Sequence, residues 1–376
     1  MTVMILICTI FAAVSLLVHY ASHMLAFRTL TKASPKLDGS HMPSVSLVRP
    51  LCGIEPFSAE TLDACFHLSY PQYEVLFCIE DANDPIIPLV REMIAAHPYI
   101  SARILIGEDR HSPNPKYNNM KKGYREARGD IVIFADSNLL IPEDYLQRVI
   151  ATFDDGCALV SAPPFGNRPG NLWAEVECAL LNSYAARVQF CADAAGFGFA
   201  QGKTLAFRKT DLDMGGFAAM ALEPAEDAAA TKWARKSGRR VRLVSPAFPQ
   251  PLGLRPLKAV WSRHLRWARL RRATFPLLFA PEIFSISLVS FAAVGIATFL
   301  LQGPVTVWLG LYVLAWYGAD FTTARALGWP STARSLMALP LRDLLLLSIW
   351  IGAWTGRSFT WHGNAMTANR QSEPQG

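Results

Sequence analysis

Three aspartates stand at places where oxygen-bearing side chains can do chemistry. Asp136 closes the apolar run Ile131-Val132-Ile133-Phe134-Ala135 and is followed by Ser137 and Asn138. Asp81 sits in Ile79-Glu80-Asp81-Ala82-Asn83-Asp84-Pro85, beyond a second apolar run. Asp227 follows Glu223-Pro224-Ala225-Glu226 at the head of an Ala-rich stretch. A carboxylate at a strand end can hydrogen-bond a base or a ribose, or hold a metal. One held rigidly at a helix start can take the proton of an incoming hydroxyl. Each also has a plainer reading. Asp136 could cap the next turn, Asp84 the helix that Pro85 begins, and acids at the start of the Ala-rich helix suit its dipole.

Basic and polar groups accompany them. Arg49-Pro50 ends the first apolar run, with Gly53 and Glu55 behind it; alone, this reads as a turn after a strand. Asn114-Pro115-Lys116 opens a helix, and free amides beside a lysine suit a phosphate. Residues 255–272 hold seven Lys or Arg and no acid, which outweighs the net charge of +6. On a helix, Leu257, Trp261, Leu265 and Ala268 form one apolar stripe with Lys258, Arg266 and Arg269 beside it. That pattern suits an interfacial helix drawn to anionic headgroups. Trp267 falls off the stripe, and an Arg266-Trp267 pair facing a cleft can clamp a diphosphate. No aromatic platform or recognition motif supports nucleic-acid binding.

The elements that position these residues follow from hydrophobic pattern. β-Rich runs at 44–48, 73–79, 102–106, 130–135, 158–160, 204–207 and 241–244 alternate with helical patterns at 59–67, 86–97, 118–127, 143–153, 172–190 and 225–237. Such alternation predicts an α/β fold with a largely parallel sheet wrapped by helices. Continuous apolar runs are strands buried on both faces, and ligands of such sheets sit beyond the strands' carboxyl ends. The stretch 172–201 is apolar but carries Glu175, Glu177, Arg187 and Asp193, and reads as a long amphipathic or interfacial helix.

Composition adds a membrane. Of the 376 residues, 51% are hydrophobic and 18% charged, which fits a soluble domain joined to a few spans. Residues 2–20 are uncharged and long enough to cross a bilayer, with no basic leader and no cleavage site, so an anchor over residues 1–27 is expected. Arg28, Lys32 and Lys36 then put the N-terminus outside and the following domain, residues 40–275, in the cytosol. Further spans are expected near 283–301, 305–318 and 336–354, giving a membrane domain over 280–356 and a tail over 357–376. The last span contains Pro340 and Arg342-Asp343, ionisable residues that should face protein or water. The seven cysteines show neither paired spacing nor clustered His, so neither a disulfide framework nor a zinc site is expected.

Taken in order, these residues resemble the ceramide glucosyltransferase family, membrane glycosyltransferases with a GT-A-type nucleotide-sugar domain. The resemblance runs from about residue 45 to 343. Asp81, Asp136 and Asp227 match the family's three aspartates. Arg263, Arg266 and Trp267 match its closing Arg/Gln-x-x-Arg-Trp signature; Tyr70-Pro71 and Asn114-Pro115-Lys116 with Asn118-Asn119 also read like the family. The resemblance implies a GT-A-type domain with one N-terminal and about three C-terminal transmembrane helices. It implies transfer of glucose from UDP-glucose to a ceramide hydroxyl in the bilayer, inverting to a β-linkage by single displacement. Asp227 is then the general base. Asp81 holds the uridine part, with Arg49, Pro50, Glu55 and Asp84 lining the donor, and Asp136 works through a divalent cation, Mg or Mn. Arg266, Trp267, Arg263 and Lys116 meet the leaving group's charge. Asn138 stands where many GT-A enzymes place a second acid, leaving Asp136 as the single charged metal ligand. Diacylglycerol or a hopanoid as acceptor, and galactose or N-acetylglucosamine as sugar, keep the same chemistry. A processive polysaccharide synthase would carry more spans, and a non-catalytic lipid-binding protein should have lost Asp227 or Arg266. The short loops and absence of targeting signals suggest a bacterial inner membrane.

Overall fold

In a computed structural model of the chain, the structure describes residues 1–33, 37, 42–107, 110–361 and 364–367. Lys36, invoked above for topology, lies outside them. The chain divides into two compact units. One comprises residues 30–165, 192–251 and 358–376, the other residues 1–29, 166–191 and 252–357.

The first unit is built on a seven-stranded sheet. Its strands are β1 (Val45–Leu51), β2 (Tyr73–Ile79), β3 (Ser101–Ile106), β4 (Ile131–Ala135), β5 (Cys157–Ser161), β6 (Thr204–Arg208) and β7 (Arg240–Leu243), in the order β3-β2-β1-β4-β6-β5-β7. β1 pairs in parallel with β2 and β4, β2 with β3, and β5 with β7. The sheet is mostly parallel, as its pattern predicts, with one exception. β6 runs antiparallel to both β4 and β5, so the start of β6 lies at the edge where β4 ends.

Helices cover both faces. Ser58–Asp63 (α2), Ile86–Ala96 (α3) and Tyr145–Ala151 (α5) send Leu62, Val90, Met93, Leu146 and Val149 onto Leu47, Phe77 and Ile133. On the other face, Pro115–Glu126 (α4) and Glu226–Lys236 (α8) pack Tyr117, Met120, Ala230 and Ala234 against Val48, Leu76 and Phe134. β4 is buried over all five residues, which is why its sequence shows no polar alternation. A Cβ at Gly123 would stand 2.3 Å from Val48 Cγ1, so only glycine lets α4 lie this close to β1.

The second unit is helical. Thr2–Leu30 (α1) and Ala333–Trp354 (α12) are each long and apolar enough to cross a membrane. Pro276–Ser285 and Ser287–Leu300 (α10) meet that test together but are bent by 50°. Val305–Ala326 (α11), where a further span is expected, forms a helix between α10 and α12 but is not apolar enough to meet the same test. The expected long amphipathic or interfacial helix after residue 172 forms as Leu172–Ala179 (α6), a π turn at Leu180–Ala186, and Arg187–Ala194 (α7). Glu175, Glu177 and Arg187 are all buried, so its charges face protein and not an interface.

The charges expected at depth in α12 do face protein. Arg342 Nη2 donates to Asp320 Oδ2 on α11 at 3.0 Å, Nε to Asp343 Oδ1 at 2.8 Å and Nη1 to Ser183 Oγ at 2.5 Å. Asp320 Oδ1 pairs with His23 Nε2 on α1 at 3.0 Å. This ties α1, the π turn, α11 and α12 into one network, where removing a partner strands a buried charge. Arg342→Met is expected to cost about 3 kcal/mol and to lower the thermal midpoint in detergent by several degrees; an unchanged midpoint would refute the network's structural role.

Candidate active site

Because β1 is parallel to β2 and β4, the residues after Ile79 and Ala135 share one edge, and Asp81 and Asp136 stand there as expected. Asp81 is exposed, its Oδ1 accepting from Asn83 N at 2.8 Å. Asp136 is held by two lysines. Lys116 Nζ lies 2.7 Å from its Oδ1 and Lys203 Nζ 3.1 Å from its Oδ2. Burial would raise the Asp136 carboxyl, but the two ammonium groups outweigh it and hold it well below the usual carboxylate range. They also keep Asp136 ionised throughout the physiological range.

Lys116 binds three oxygens at once. Besides Asp136 it contacts Glu226 Oε1 at 2.7 Å and donates to Gly202 O at 2.7 Å. Burial would lower its pKa, but Asp136 and Glu226 raise it well above that of an ordinary lysine. Asn114 explains the motif that carries it. Its Oδ1 accepts from the amides of Lys116 and Tyr117, at 3.0 and 3.2 Å, and its Nδ2 donates to Glu226 Oε2 at 3.0 Å. This corrects one half of the expected phosphate site: the helix-start amides are capped by Asn114, while the Lys116 ammonium stays at the sheet edge beside Asp136.

Asp227 lies beside this cluster at the start of α8. Its Oδ2 accepts from Gly202 N at 2.9 Å and its Oδ1 from Ala228 N at 2.7 Å. Burial and neighbouring Glu226 push its carboxyl up to about 6, against the opposing pull of Lys116 and the two amides. A carboxylate that titrates near neutrality, rigidly held at a ligand-facing edge, is equipped to accept a proton. A Cβ at Gly202 would approach Lys116 Nζ to 2.9 Å and Glu226 Oε1 to 3.0 Å, so a larger residue here would have to displace the ends of both side chains.

Three further expectations resolve differently. Arg49 is fully buried, and its Nη2 donates to the carbonyls of Thr61, Ser137 and Leu139 at 3.2, 3.2 and 3.4 Å. On a strand it shares a face with Leu47 and Leu51, so it supports the Asp136 loop from within and does not line a donor. Asp84 accepts from Gly53 N at 2.8 Å and Ile86 N at 2.9 Å, which makes it a scaffold residue and the helix-capping reading the right one. Glu55 reaches the site through Asn138, whose Nδ2 donates to its Oε2 at 3.0 Å; Pro50, next to Arg49 in sequence, is half-buried. Lys203 Nζ completes that chain by donating to Asn138 Oδ1 at 2.6 Å. Lys203 and Glu226 were not among the expected site residues.

In the helical unit, Leu257–Thr274 (α9) carries Arg263, Arg266 and Trp267. Its buried positions are Val260, His264, Ala268 and, at its end, Thr274, whereas Leu257 is exposed and Trp261 and Leu265 are half-buried. The packed face is thus rotated from the expected stripe, because Glu177 on α6 draws the polar residues inward. Arg263 Nη1 donates to Glu177 Oε1 at 2.7 Å, and Arg255 Nε lies 3.5 Å from Oε2. His264 is driven down to about 3 by burial and then by Arg263, Arg271 and Arg266, so it is neutral at pH 7. Trp267 packs on Ala174, Cys178, Leu181 and Leu252, with its ring 4.9 Å from that of His264. Arg263 therefore anchors the helix on Glu177.

Comparison with known proteins bears on what this geometry is for. The model of glycosyl transferase family 21 matches residues 4–373. A ceramide glucosyltransferase of Komagataella phaffii is 25% identical over 457 residues, covering 97% of this chain and 90% of that protein. Ceramide glucosyltransferase 1 of Caenorhabditis elegans is 27% identical over 319 residues, covering 83% of this chain and 68% of that one. Among solved structures, a mannosyltransferase from Pyrobaculum calidifontis in complex with GDP-Man and Mn2+ superposes with a TM-score of 0.55 at 19% identity, covering 91% of this chain and 98% of that one. That likeness establishes a shared fold.

Proposed function

The chain belongs to glycosyl transferase family 21, with a GT-A-type fold and apolar helices fit to span a membrane, and on that premise we propose that it glucosylates ceramide from UDP-glucose. The observation that carries the mechanism is the meeting of Asp136, Lys116 and Asp227 at one sheet edge. Asp227 takes the proton of the acceptor hydroxyl as its oxygen bonds to the anomeric carbon. The bond from that carbon to the diphosphate breaks on the opposite face, so the configuration inverts and UDP leaves with the electron pair. Asp81 binds the uridine part, while Lys116 and Lys203 supply positive charge for the diphosphate. Arg266 and Trp267 serve the same leaving group.

A divalent cation fits this site. Asp136 is a hard oxygen donor that stays ionised, keeps part of its surface open, and already accepts a cationic ammonium at 2.7 Å. Asp136 would hold the ion, with phosphate oxygens filling most of its shell, and the ion would supply further neutralisation of diphosphate charge. Acceptor choice follows the curated relatives, whose names specify ceramide. Arg28, in the last turn of α1, and Lys32 just beyond it support a cytosolic catalytic unit.

The deciding experiment incubates the purified full chain with UDP-glucose, UDP-galactose or UDP-N-acetylglucosamine and with ceramide, diacylglycerol or a hopanoid. Mass spectrometry should find hexosylceramide from UDP-glucose, with a β-anomeric proton by NMR. Product on diacylglycerol or the hopanoid alone would overturn the acceptor assignment, and an α-anomer the mechanism. Arg266→Ala should lower turnover at least tenfold more than Arg269→Ala, since only Arg266 belongs to the signature. Equal losses would reduce both to electrostatic attraction for lipid.

A further inference from the structure

Away from the sheet edge, three ligand-bearing side chains converge on the face covered by α2 and α3. Asp63 is the last residue of α2, His67 follows one turn later, and His97 caps the end of α3. His67 Nε2 lies 3.0 Å from Asp63 Oδ2, and His97 Nε2 lies 3.8 Å from Asp63 Oδ1. One donor atom from each of the three falls within 4.8 Å of the other two. The side chains retain 54%, 45% and 24% of their exposure for His67, Asp63 and His97, so solvent has access.

The tautomer of His97 is informative. Its Nδ1 donates to Met93 O at 2.9 Å, and its ring stacks on Phe66 with centroids 4.7 Å apart and planes at 16°. In the neutral ring Nε2 therefore carries the lone pair, and that lone pair stands near an anionic oxygen. Two electron-rich atoms brought together this way suit a cation between them. The His67 ring meets the His97 ring nearly at right angles, at 88°, so the two nitrogens approach from different directions.

We propose that Asp63, His67 and His97 form a binding site for a borderline transition-metal dication, Zn2+ being the best match. Bond lengths of about 2.0–2.1 Å to nitrogen and oxygen in a tetrahedron separate neighbouring ligands by about 3.3 Å, between the two distances found here. Small side-chain rotations close the set. The carbonyl of Met93 holds His97 in the metal-binding tautomer, a supporting contact typical of histidine ligands. Three protein ligands leave a fourth position for water, on the exposed side. The sequence shows no clustered His here because His97 comes from a different helix, about 30 residues along the chain from His67. Leu62, Cys65 and Phe66 around α2 share one apolar cluster with Val90 and Met93 of α3. A metal here would cross-link the ends of two helices already packed together, and its role would be to brace that face of the catalytic unit.

The test uses the full chain in detergent, stripped with chelator and titrated with Zn2+ by calorimetry in saturating Mg2+, with Co2+ absorption reporting ligand geometry. One Zn2+ per chain is expected, with a thermal midpoint that rises on binding. His97→Gln and His67→Gln should each raise the dissociation constant at least tenfold and abolish the tetrahedral Co2+ band. His67 is exposed and His97 half-buried, and circular dichroism of the metal-free variants checks that both fold. No saturable Zn2+ uptake by the wild type, or uptake indifferent to both variants, would overturn the site. So would NMR showing His97 doubly protonated at neutral pH and unresponsive to Zn2+, because a proton would then be the cation.

Discussion

Asp227→Asn is expected to lower turnover by about 10²–10⁴-fold while UDP binding stays close to that of the wild type. Asparagine keeps an oxygen for the amide of Gly202, which now bonds Asp227 at 2.9 Å, so the start of α8 should hold its position. It cannot take a proton from a hydroxyl. The pH profile provides a second readout with a definite sign. A base acts only when unprotonated, and burial with Glu226 pushes Asp227 up to about 6. Wild-type kcat/KM should therefore fall about tenfold per unit below pH 6 and level off above it. The Asn variant should retain low activity without that acidic limb. Near-wild-type turnover, or an acidic limb that survives the substitution, would remove Asp227 from the base role.

The sheet and the Asp136 edge were legible because a strand buried on both faces has no choice but a continuous apolar run. β4 shows this best, with five buried residues ending at an oxygen-rich turn. Residues whose meaning depends on direction or facing were not legible. Lys203 precedes a strand, and in a wholly parallel sheet it would lie at the edge away from Asp136. Only the antiparallel pairing of Thr204 with Ala135 brings it across. The Gly202-Lys203 pair was visible in the sequence, but nothing local states the strand's direction. Arg49 misled for the opposite reason. Strand alternation puts it on the face of Leu47 and Leu51, a cue that was available, yet a buried arginine is rare enough that the turn beyond it drew the functional reading.

In the helical unit the limit was the partner. An isolated α9 presents Leu257, Trp261, Leu265 and Ala268 as its apolar face, and that stripe would suit a lipid surface. The fold instead supplies a buried carboxylate, Glu177, and the helix turns to bring Arg263 and His264 beside it. A buried ion pair outweighs exposure of Leu257, whose loss of burial costs about 1.5–3 kcal/mol at most, because an unpaired Glu177 would cost about 3–5 kcal/mol. Arg342 and Asp343 obey the same rule, and there the sequence does announce it, since charges inside an apolar span require partners.

Lys116→Met is expected to lower kcat/KM by about 10²–10³-fold at pH 7 and to move the acidic limb upward. Methionine matches the length of the side chain without its charge. In the wild type the ammonium is shared by Asp136 Oδ1, Glu226 Oε1 and Gly202 O, each at 2.7 Å. Without it, Glu226 and Asp227 face one another with no cation between them, and the one side chain whose charge draws Asp227 downward is gone. Asp227 should then hold its proton above pH 6. Part of the lost activity should return as the pH is raised to about 8.5, where the base is again ionised. The remainder, which no pH restores, measures the lysine's charge on the departing diphosphate. A uniform loss across the pH range would mean that Lys116 serves the leaving group alone. Full recovery at high pH would mean that it serves only the base. The geometry requires both, because one ammonium is bonded to the carboxylate expected at the diphosphate and to the acid that flanks the base.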